Sequence, residues 1–520
     1  MIADLVDRHW DVIVIGTGIG GGTIGRALAE KGLSVLFVEK GPAGHRAEET
    51  PLNPAMADPV ARALRGFWPT PVTAQIDGKM RSFFAPLGSG LGGSSVFYAA
   101  TLERPEPHDL DHSDARPHPN GGWPVSHAAM RPWYDAAEAM YHVCGEDDPL
   151  SGHPGNLRAP PPLSATDTAI MTGLRRGGLH PYRLHAALRH LDGCRECLGF
   201  KCPLPCKMDG RSAGVEPALA TGRAALLDRC EVTALHGTAG HITQITALRD
   251  GEPITLRADR FVLAAGAFGS PRLLLVSAST EWPDGCANAS GLVGRNLMFH
   301  LNEMFAIWPK GVQDSGPSKS VGLRDLYHLD GQRFGMVQAM GISAGYGEIT
   351  HYLQQWLAQT GLRRLSGLSR IPAAIAARML GRAQVFVGLL EDMPYPENRI
   401  TYDPAAPGAI RLEYRLHPEL LTRRRQFRKA IRRGFRGQTP LFLTWRPELN
   451  FGHPCGTLRF GNDPATSVLD PDCRAHGIDN LHVVDASFFP TSMGVNPSLT
   501  IAANALRVAA RMTEERCATI

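Results

Sequence analysis

A glycine-rich turn near the N-terminus strongly limits the folds that this chain can adopt. The apolar run DVIVI at residues 11–15 leads into GTGIGG, and a helical pattern then continues to about Lys31. A second apolar run, SVLFV, occupies residues 34–38. Short apolar runs bounded by glycine are typical of buried parallel strands, and the order strand, helix, strand predicts a βαβ unit. The sequence therefore predicts an α/β fold with a parallel sheet.

The same turn has the spacing of a dinucleotide-binding fingerprint. Gly16 permits a tight turn, Gly18 lets the backbone approach a pyrophosphate, and Gly21 allows the helix to pack on the strand. The helix N-terminus offers unpaired N–H groups and a partial positive charge to the phosphates. Glu39 ends the second strand, where a carboxylate accepts hydrogen bonds from ribose hydroxyls. These features predict a dinucleotide site and leave FAD and NAD as alternatives.

Strand and helix signals return late in the chain, at 258–276 and at 480–512. One α/β domain is therefore expected to be assembled from segments that lie far apart in the sequence. Between them, alternating apolar positions in residues 300–350 predict antiparallel strands. Residues 104–124, rich in Pro, His and Asp, are expected to form a surface excursion, and residues 352–384 a helix interrupted by Gly and Pro. With 520 residues, the chain has room for two domains.

Composition and charge exclude several classes of function. The formal net charge is only +4, with 43% hydrophobic and 20% charged residues, which indicates a soluble globular protein and no nucleic-acid partner. The basic run at 422–437 predicts an amphipathic helix that buries Phe427, Ile431 and Phe435 and exposes its arginines to solvent.

The sequence contains no apolar run long enough to cross a bilayer, so no transmembrane segment is expected. The N-terminus runs directly into a strand without a separate signal peptide. This predicts a cytoplasmic protein, with export beside a signal-bearing partner left open.

Two C-terminal stretches carry residues suited to chemistry, GHPCGTLRFG at 452–461 and TSMGVNPSLT at 491–500. The unperturbed pKa of a histidine, about 6.5, lies close to working pH, so His453 is a candidate base. Asn496 is predicted to cap the following helix, with Pro497 at its first position. The positive end of that helix would then face a site where negative charge develops.

A second glycine cluster, APLGSGLGGSSVFYAATLERP at 85–105, completes a recognisable set of motifs. Together with the first cluster it resembles the flavin-contacting signature of the glucose–methanol–choline (GMC) oxidoreductases. VLAAGAFGSPRLLL at 262–275, GLVGRNLMFH at 291–300 and the C-terminal segment from His453 are similar to further stretches of that family. The resemblance spans nearly the whole chain, with its motifs in the family's order.

The resemblance implies α/β (α+β overall) architecture in two parts. One is a Rossmann-like FAD-binding domain assembled from discontinuous segments, 1–50, 80–125, 205–300 and 452–520. The other is a substrate-binding domain with an antiparallel sheet, helices and a cysteine loop, formed by 51–79, 126–204 and 301–451.

Carried over by position, the resemblance implies FAD that is bound non-covalently. The residues expected to hold it are Gly16, Gly18, Gly21 and Glu39 at the ADP part, Gly88, Gly90, Gly93 and Ser94 at the pyrophosphate and flavin, Val232 at the adenine through its backbone, Asp485 at the ribityl or pyrophosphate region, and Pro497 at the last helix. Many members have Asn where this chain has Tyr98, and the loop lacks the histidine that carries covalent flavin in some relatives.

The implied reaction is the oxidation of a primary or secondary alcohol to the carbonyl. His453 would take the hydroxyl proton while hydride passes to flavin N5, and Asn496 would orient the substrate oxygen. Oxygen, a quinone or a protein would accept the electrons. Two alternatives stay open: a non-redox lyase on the same FAD scaffold, like the family's hydroxynitrile lyases, and the catalytic subunit of an iron–sulfur and cytochrome-linked sugar or polyol dehydrogenase complex.

Four of the ten cysteines are close together in CRECLGFKCPLPCK, at Cys194, Cys197, Cys202 and Cys206. Similar cysteine-rich loops occur in the branch of the family that carries an iron–sulfur cluster beside FAD. Thiolates at these spacings can bind such a cluster or zinc. The spacing is also consistent with structural disulfides and with reduced thiols that pack a loop over the flavin.

Overall fold

A computed structural model describes residues 2–46, 58–309, 319–341, 349–350, 353, 357, 367–380 and 383–519. Parts of the segment 352–384, predicted to be a helix interrupted by Gly and Pro, and of the predicted segment 51–79 lie outside the described residues. The described α-helices are α1 Ile2–Asp7, α2 Ile19–Glu30, α3 Pro59–Leu64, α4 Pro107–Leu110, α5 His127–Met140, α6 Ala165–Arg176, α7 Glu216–Ala220, α8 Gly266–Val276, α9 Arg370–Leu380, α10 Pro418–Gly434 and α11 Ser498–Thr519.

The strands of the described residues form three sheets and one separate hairpin. They are β1 His9–Ile15, β2 Val35–Val38, β3 Val72–Ile76, β4 Lys79–Phe83, β5 Tyr182–Arg183, β6 Ala224–Leu227, β7 Cys230–Thr238, β8 His241–Arg249, β9 Glu252–Leu263, β10 His300–Ile307, β11 Val321–Leu323, β12 His328–Leu329, β13 Gln332–Arg333, β14 Val337–Ala339, β15 Gln384–Glu391, β16 Arg399–Thr401, β17 Arg411–Tyr414, β18 Leu441–Phe442 and β19 Leu481–Val483.

The first sheet contains the predicted βαβ unit. Strands β6, β2, β1, β9 and β19 are parallel neighbours in that order, and β7, β8 and the first half of β9 form an antiparallel meander. The residues of β2 are all buried, as are the last four of β1, because helices cover the sheet. The prediction of one α/β sheet built from distant segments is confirmed, since β19 joins the sheet from the far end of the chain.

The second sheet is antiparallel, with the strand order β18, β10, β15, β14, β11, β5. It confirms the strands predicted from the alternating positions of residues 300–350. Helix α10 packs on it and buries the predicted stripe of Phe427, Ile431 and Phe435. The prediction that its arginines are all solvated was wrong. Arg423 and Arg424 are buried, and Arg424 forms an ion pair with the buried Glu303 of β10.

The third sheet is small and mixed, in the order β16, β17, β3, β4. Strand β3 pairs with β17 of the 301–451 segment, and β4, whose residues 80–83 belong to the predicted FAD-binding part, pairs with β3. Helix α5, in the predicted substrate part, packs against the first sheet. Tyr134 and the following Tyr141 are buried in the same core cluster as its strands. Tyr141 hydrogen-bonds Thr23 of α2, and Tyr134 hydrogen-bonds Thr500 of α11.

The predicted surface excursion at 104–124 is exposed at residues 112–117 and 119–121 but buried at residues 104–105 and 108–110. Asp109 is fully buried, accepts a hydrogen bond from Tyr327 at 2.6 Å and pairs with Arg333 at 3.3 Å. His118 is buried as well, whereas residues 112–117 are exposed. The prolines and charged residues of this segment predicted a surface loop, but the charge of Asp109 is neutralised by a partner from the substrate part.

Candidate active site

The glycine turn is shaped as the fingerprint predicts. Gly16 has φ +100°, and a Cβ there would collide with the carbonyl of Ala264 on the strand-to-helix turn after β9. A Cβ on Gly21 would collide with the carbonyl of Gly16, so the helix approaches the strand closely only because both residues are glycine. Gly18 precedes α2, and a Cβ there would meet nothing within 4 Å. The side of the turn that faces the helix N-terminus is therefore open.

The second glycine cluster lies directly against the first. Gly93 has φ +56°, and its Cβ position is 3.1 Å from the Cα of Gly18. Thr17 joins the two loops, because its hydroxyl accepts from the N–H of Gly92 at 3.0 Å and donates to Glu39 at 2.6 Å. Residues that are far apart in sequence thus form one glycine-lined cradle.

The remaining members of the second cluster shape its loop. The N–H of Gly88 donates to the Ser94 hydroxyl at 2.9 Å, which closes the loop over six residues. A Cβ on Gly90 would come within 2.9 Å of the Pro42 carbonyl, just after the second strand. The loop therefore packs onto the βαβ unit through backbone, as a site for a flat or bulky group requires.

Glu39 sits at the base of this cradle. One carboxylate oxygen accepts from both the N–H and the hydroxyl of Thr17, and the other accepts from the Gly41 N–H at 3.2 Å. Burial raises its pKa, and these hydrogen bonds oppose that shift. Each carboxylate oxygen can accept more than one hydrogen bond, so capacity for a ribose hydroxyl remains. Val232 lies nearby in β7, whose first residue, Cys230, donates its N–H to the Glu39 carbonyl at 2.9 Å.

Asp485 lies just after β19, at the same carboxyl edge of the parallel strands as Glu39 after β2. Its carboxylate accepts from the Gly266 N–H at 3.0 Å and from the hydroxyl of Ser270, both in α8, and from the Ser487 N–H at 2.9 Å. It is buried, which raises its pKa. Asp485 therefore holds the first turn of α8 against the C-terminal segment.

These residues fit an FAD. The cradle combines an open helix N-terminus at Gly18, an acid at Glu39 and two loops that approach through glycine alone, so a pyrophosphate has room and N–H donors. Tyr98, at the position where many members carry Asn, points away from such a role, since its hydroxyl donates to the Met208 carbonyl.

His453 lies beside a second histidine. Cys455 and Met298 exchange backbone hydrogen bonds at 3.0 Å each, which brings the loop of His453 next to the first residue of β10. There, Nδ1 of His453 is 3.1 Å from Nδ1 of His300. Nε2 of His300 is 2.9 Å from the carbonyl oxygen of Met493, in the stretch that precedes α11. The two C-terminal motifs are thus connected through His300.

This geometry fixes the tautomers. A carbonyl oxygen only accepts, so Nε2 of His300 carries the proton, and burial lowers the pKa of His300 to about 4. Nδ1 of His300 is therefore an acceptor, and Nδ1 of His453 donates to it. The amide nitrogen of Asn450 lies 3.2 Å from the same His453 atom but also donates to Asn302. Nε2 of His453 therefore carries no proton. Its lone pair is free, and it makes no hydrogen bond to a described residue.

Electrostatics keep His453 neutral. Burial lowers its pKa well below 6.5, and the nearby ammonium of Lys319 lowers it further. Lys319 is itself buried, which lowers its own pKa to about 7. A neutral imidazole with a free Nε2 can accept a proton from a substrate hydroxyl.

Asn496 is buried without the contacts its residue type usually makes. It is 9% exposed, and no described residue hydrogen-bonds its amide; the Oδ1 atom is buried. It does not cap a helix as predicted, because α11 begins at Ser498 and the first helical bond runs from the Ile501 N–H to the Pro497 carbonyl. Pro497 therefore lies one position before the predicted one. A buried amide without a partner is a costly feature unless a ligand completes it.

The four loop cysteines form two couples. Sγ of Cys206 is 2.7 Å from Sγ of Cys194, and burial together with the neighbouring Cys202 thiol raises the pKa of Cys197. Within the described part of the chain, no three or more His, Cys, Asp or Glu side chains converge in a way that could hold a metal ion.

Sequence reasoning missed His300 as a site residue. It closes the quoted motif GLVGRNLMFH, but it begins an apolar alternating strand, and a histidine there gives no sign of pointing toward another histidine. Lys319 was missed because no motif surrounds it.

In the described residues, no helix is both long and apolar enough to span a membrane.

Comparisons with known proteins cover almost the entire chain. A family model described as GMC oxidoreductase matches residues 11–302, and a second with the same description matches residues 394–505. The paromamine 6'-oxidase of Streptomyces fradiae is 31% identical, covering 97% of this chain and 91% of that protein. The 2-methyl-1,2-propanediol dehydrogenase of Mycolicibacterium austroafricanum is 28% identical, covering 96% and 94%. A solved pyridoxine 4-oxidase from Mesorbium loti has the same fold, with a TM-score of 0.63 at 21% identity over 97% of this chain and 99% of that one.

Proposed function

The chain belongs to the GMC oxidoreductase family and is an FAD-dependent enzyme that oxidises alcohols, and we propose that His453 takes the hydroxyl proton. The observation that carries this proposal is the series of hydrogen bonds that runs from the Met493 carbonyl through His300 to His453. It commits Nδ1 of His453 to a donor role and leaves Nε2 as the basic atom. FAD, when bound, supplies the acceptor for the two electrons of the substrate C–H bond.

Asn496 is the proposed orienting residue. Its amide is buried next to the Met493 segment and lacks a hydrogen-bond partner among the described residues. An amide N–H can donate to the substrate oxygen without competing for the proton that His453 receives. The two residues together would hold the hydroxyl with its proton toward Nε2 and its lone pair toward the amide.

FAD is proposed to be non-covalent and to contact the residues of the glycine cradle. These are Gly16, Gly18, Gly21, Glu39, Gly88, Gly90, Gly93 and Ser94, with Val232 at the adenine and with Asp485 and Pro497 toward the flavin. The support is the contact between the two glycine loops and the absence of a histidine from residues 85–105. Denaturation should therefore release free FAD into a filtrate, and flavin that stays on the chain would contradict this assignment.

We propose a primary alcohol with a second polar group nearby as the substrate. One relative is named for a 1,2-diol, and the surroundings of His453 here are polar, with Asn450, Asn302 and the ammonium of Lys319. A second hydroxyl can hydrogen-bond such groups, which an alkyl chain would leave unpaired. Lys319→Met is therefore expected to raise KM for a diol more than KM for the matching simple alcohol.

The experiment is an anaerobic absorption titration with matched pairs of 1,2-diols and simple primary or secondary alcohols. Bleaching of the flavin band by the diols, at lower concentration than by the simple alcohols, is the expected result. The same reduced enzyme is then mixed with oxygen or with a quinone, and the faster reoxidation identifies the class of electron acceptor. A flavin that dithionite bleaches but no alcohol does would count against the assigned reaction. The lyase alternative is not favoured, since the named relatives are an oxidase and a dehydrogenase.

A further inference from the structure

The four-cysteine loop does not have the geometry of a metal site. Two sulfurs that both ligate one tetrahedral zinc at 2.3 Å lie about 3.8 Å apart, and tetrahedral iron gives a similar separation. The 2.7 Å between Sγ of Cys194 and Sγ of Cys206 is too short for two ligands of one ion. The Cys202 thiol is a close neighbour of Cys197, whose pKa it raises. These thiols therefore do not fit an iron–sulfur cluster or a zinc ion.

The couples are arranged in a nested way that favours bond formation within each. Cys197 and Cys202 lie inside the loop that Cys194 and Cys206 close. In each couple one thiol is partly exposed, at Cys194 or Cys197, and its partner is buried. An oxidant can thus reach one sulfur while the other is held in place to displace it.

The loop backbone is also constrained. Glu196 and Cys197 are consecutive residues with positive φ, at +59° and +42°. Side chains rarely adopt this conformation unless the surrounding structure imposes it. Disulfide bonds at Cys194 and Cys197, on either side of Glu196, would impose this backbone conformation.

A buried lysine fastens this loop to the proposed flavin loop. Lys207 is fully buried, and its ammonium donates to the carbonyls of Val96 at 2.9 Å and Tyr98 at 3.3 Å. It also donates to the carbonyls of Cys197 at 2.9 Å and of Phe200. One cation therefore joins two carbonyls of the second glycine cluster to two carbonyls of the cysteine loop.

We propose that Cys194 pairs with Cys206 and Cys197 with Cys202 in two nested disulfides, and that these bonds hold the cysteine loop closed against the flavin-contacting loop. Each bond forms when a peroxide oxidises one thiol to the sulfenic acid and the partner thiol displaces water from it. One peroxide is reduced to two molecules of water, and two thiols lose two hydrogens. Burial raises the pKa of Cys194 to about 12, so this oxidation is slow in the closed loop and needs hours or elevated pH.

Peptide mapping tests the pairing directly. The protein is treated with hydrogen peroxide, denatured, alkylated without reduction and digested with trypsin, which cuts after Arg189, Arg195, Lys201 and Lys207. The expected product joins peptides 190–195, 196–201 and 202–207, with a mass about 4 Da below the sum of their reduced masses because two disulfides remove four hydrogens. Cys286, buried and not coupled to another described cysteine, should be alkylated in the same digest.

A single substitution distinguishes nested from crossed pairing. In Cys194→Ser, nested pairing leaves Cys206 alkylated and joins peptide 196–201 to Cys202. Crossed pairing would leave Cys202 alkylated instead and would refute the assignment. Four alkylated cysteines after peroxide treatment would overturn it too, as would stoichiometric iron or zinc in protein purified without oxygen.

Release of FAD tests the clamp separately from the pairing. Oxidised wild-type protein should release FAD more slowly than the same protein after mild reduction, as followed by the rise in free-flavin fluorescence. Cys194→Ser/Cys206→Ser should release FAD at the fast rate under both conditions, whereas Cys286→Ser should behave as wild type. Equal release rates before and after reduction of wild type would show that the disulfides do not hold the flavin loop.

Discussion

Replacing His300 with leucine takes away the ring nitrogen that accepts the Nδ1 proton of His453. In the native arrangement this acceptor is 3.1 Å away and is itself oriented by the Met493 carbonyl. Without it, Nδ1 of His453 can instead accept from the Asn450 amide, which is already 3.2 Å away. The proton would then move to Nε2, and the basic lone pair would no longer face the substrate.

The expected loss follows from one hydrogen bond. In the variant, the active tautomer has Nδ1–H of His453 as a buried donor without a partner, which costs about 1–3 kcal/mol. Since about 1.36 kcal/mol is a factor of ten in rate, His300→Leu should lower kcat/KM by roughly 5- to 150-fold. His300→Asn keeps an oxygen near the position of Nδ1, so it should recover most of the activity. Truncation of His453 itself should cost more, about 100- to 10,000-fold, because the base is lost.

The pH profile gives a readout that a purely structural role would not move. His453 acts in its neutral form, so kcat/KM is lost as pH falls through its pKa. Burial and the charge of Lys319 both lower this pKa, so wild-type activity should stay level to below pH 6.5. Lys319→Met removes one of these two causes, and its acidic limb should shift to higher pH.

The assay is steady-state kinetics with the best alcohol between about pH 5 and 9, on variants with equal FAD content. Thermal unfolding of each variant serves as the control for folding. The reasoning would be refuted if His300→Leu retained full kcat/KM, or if His300→Asn and His300→Leu lost activity equally with the same pH profile.

Gly93→Ala should weaken FAD binding by about 1–3 kcal/mol, because the residue has φ +56° and its Cβ would press on Gly18 at 3.1 Å. Gly32→Ala, also at positive φ but with nothing within 4 Å of its Cβ, should lower stability and leave the FAD dissociation constant unchanged. Tyr327→Phe should cost about 1–3 kcal/mol of unfolding free energy in urea and also reduce kcat/KM, since the hydroxyl holds the Gly494 N–H beside the active-site loop at 3.0 Å. An unaltered urea midpoint for that variant would contradict the anchoring role.

Local patterns in the sequence predicted the nucleotide part of the fold well. The apolar runs at 11–15 and 34–38 became β1 and β2, and Gly16 and Gly21 between them turned out to be places where backbone meets backbone. Strands and glycine turns of this kind are determined by residues close in sequence, or by a structural unit such as βαβ that recurs in many proteins. The parallel pairing of β19 with β9 follows from the same family pattern, although the strands are far apart in the chain.

Features set by tertiary partners were not predictable. Residues 104–124 looked exposed, but Asp109 is buried because Arg333 and Tyr327 come from the other part of the chain. In the same way, Arg424 of the basic helix is buried because it forms an ion pair with Glu303 of the strand on which the helix packs. His300 acquires its role only when β10 and the loop of His453 are side by side. Neither the hydrophobic periodicity nor the motif spacing of the sequence indicates these contacts between distant residues.

Rapid mixing of the FAD-loaded enzyme with alcohol under anaerobic conditions tests the central assignment most directly. The rate of flavin bleaching is compared between wild type and His453→Asn, both checked for equal FAD content and unfolding temperature. Wild type should bleach with the alcohol, and His453→Asn should bleach at least about 100-fold more slowly, with a rate that no longer depends on pH between about 5 and 8. Equal bleaching rates in the two proteins would show that His453 is not the base.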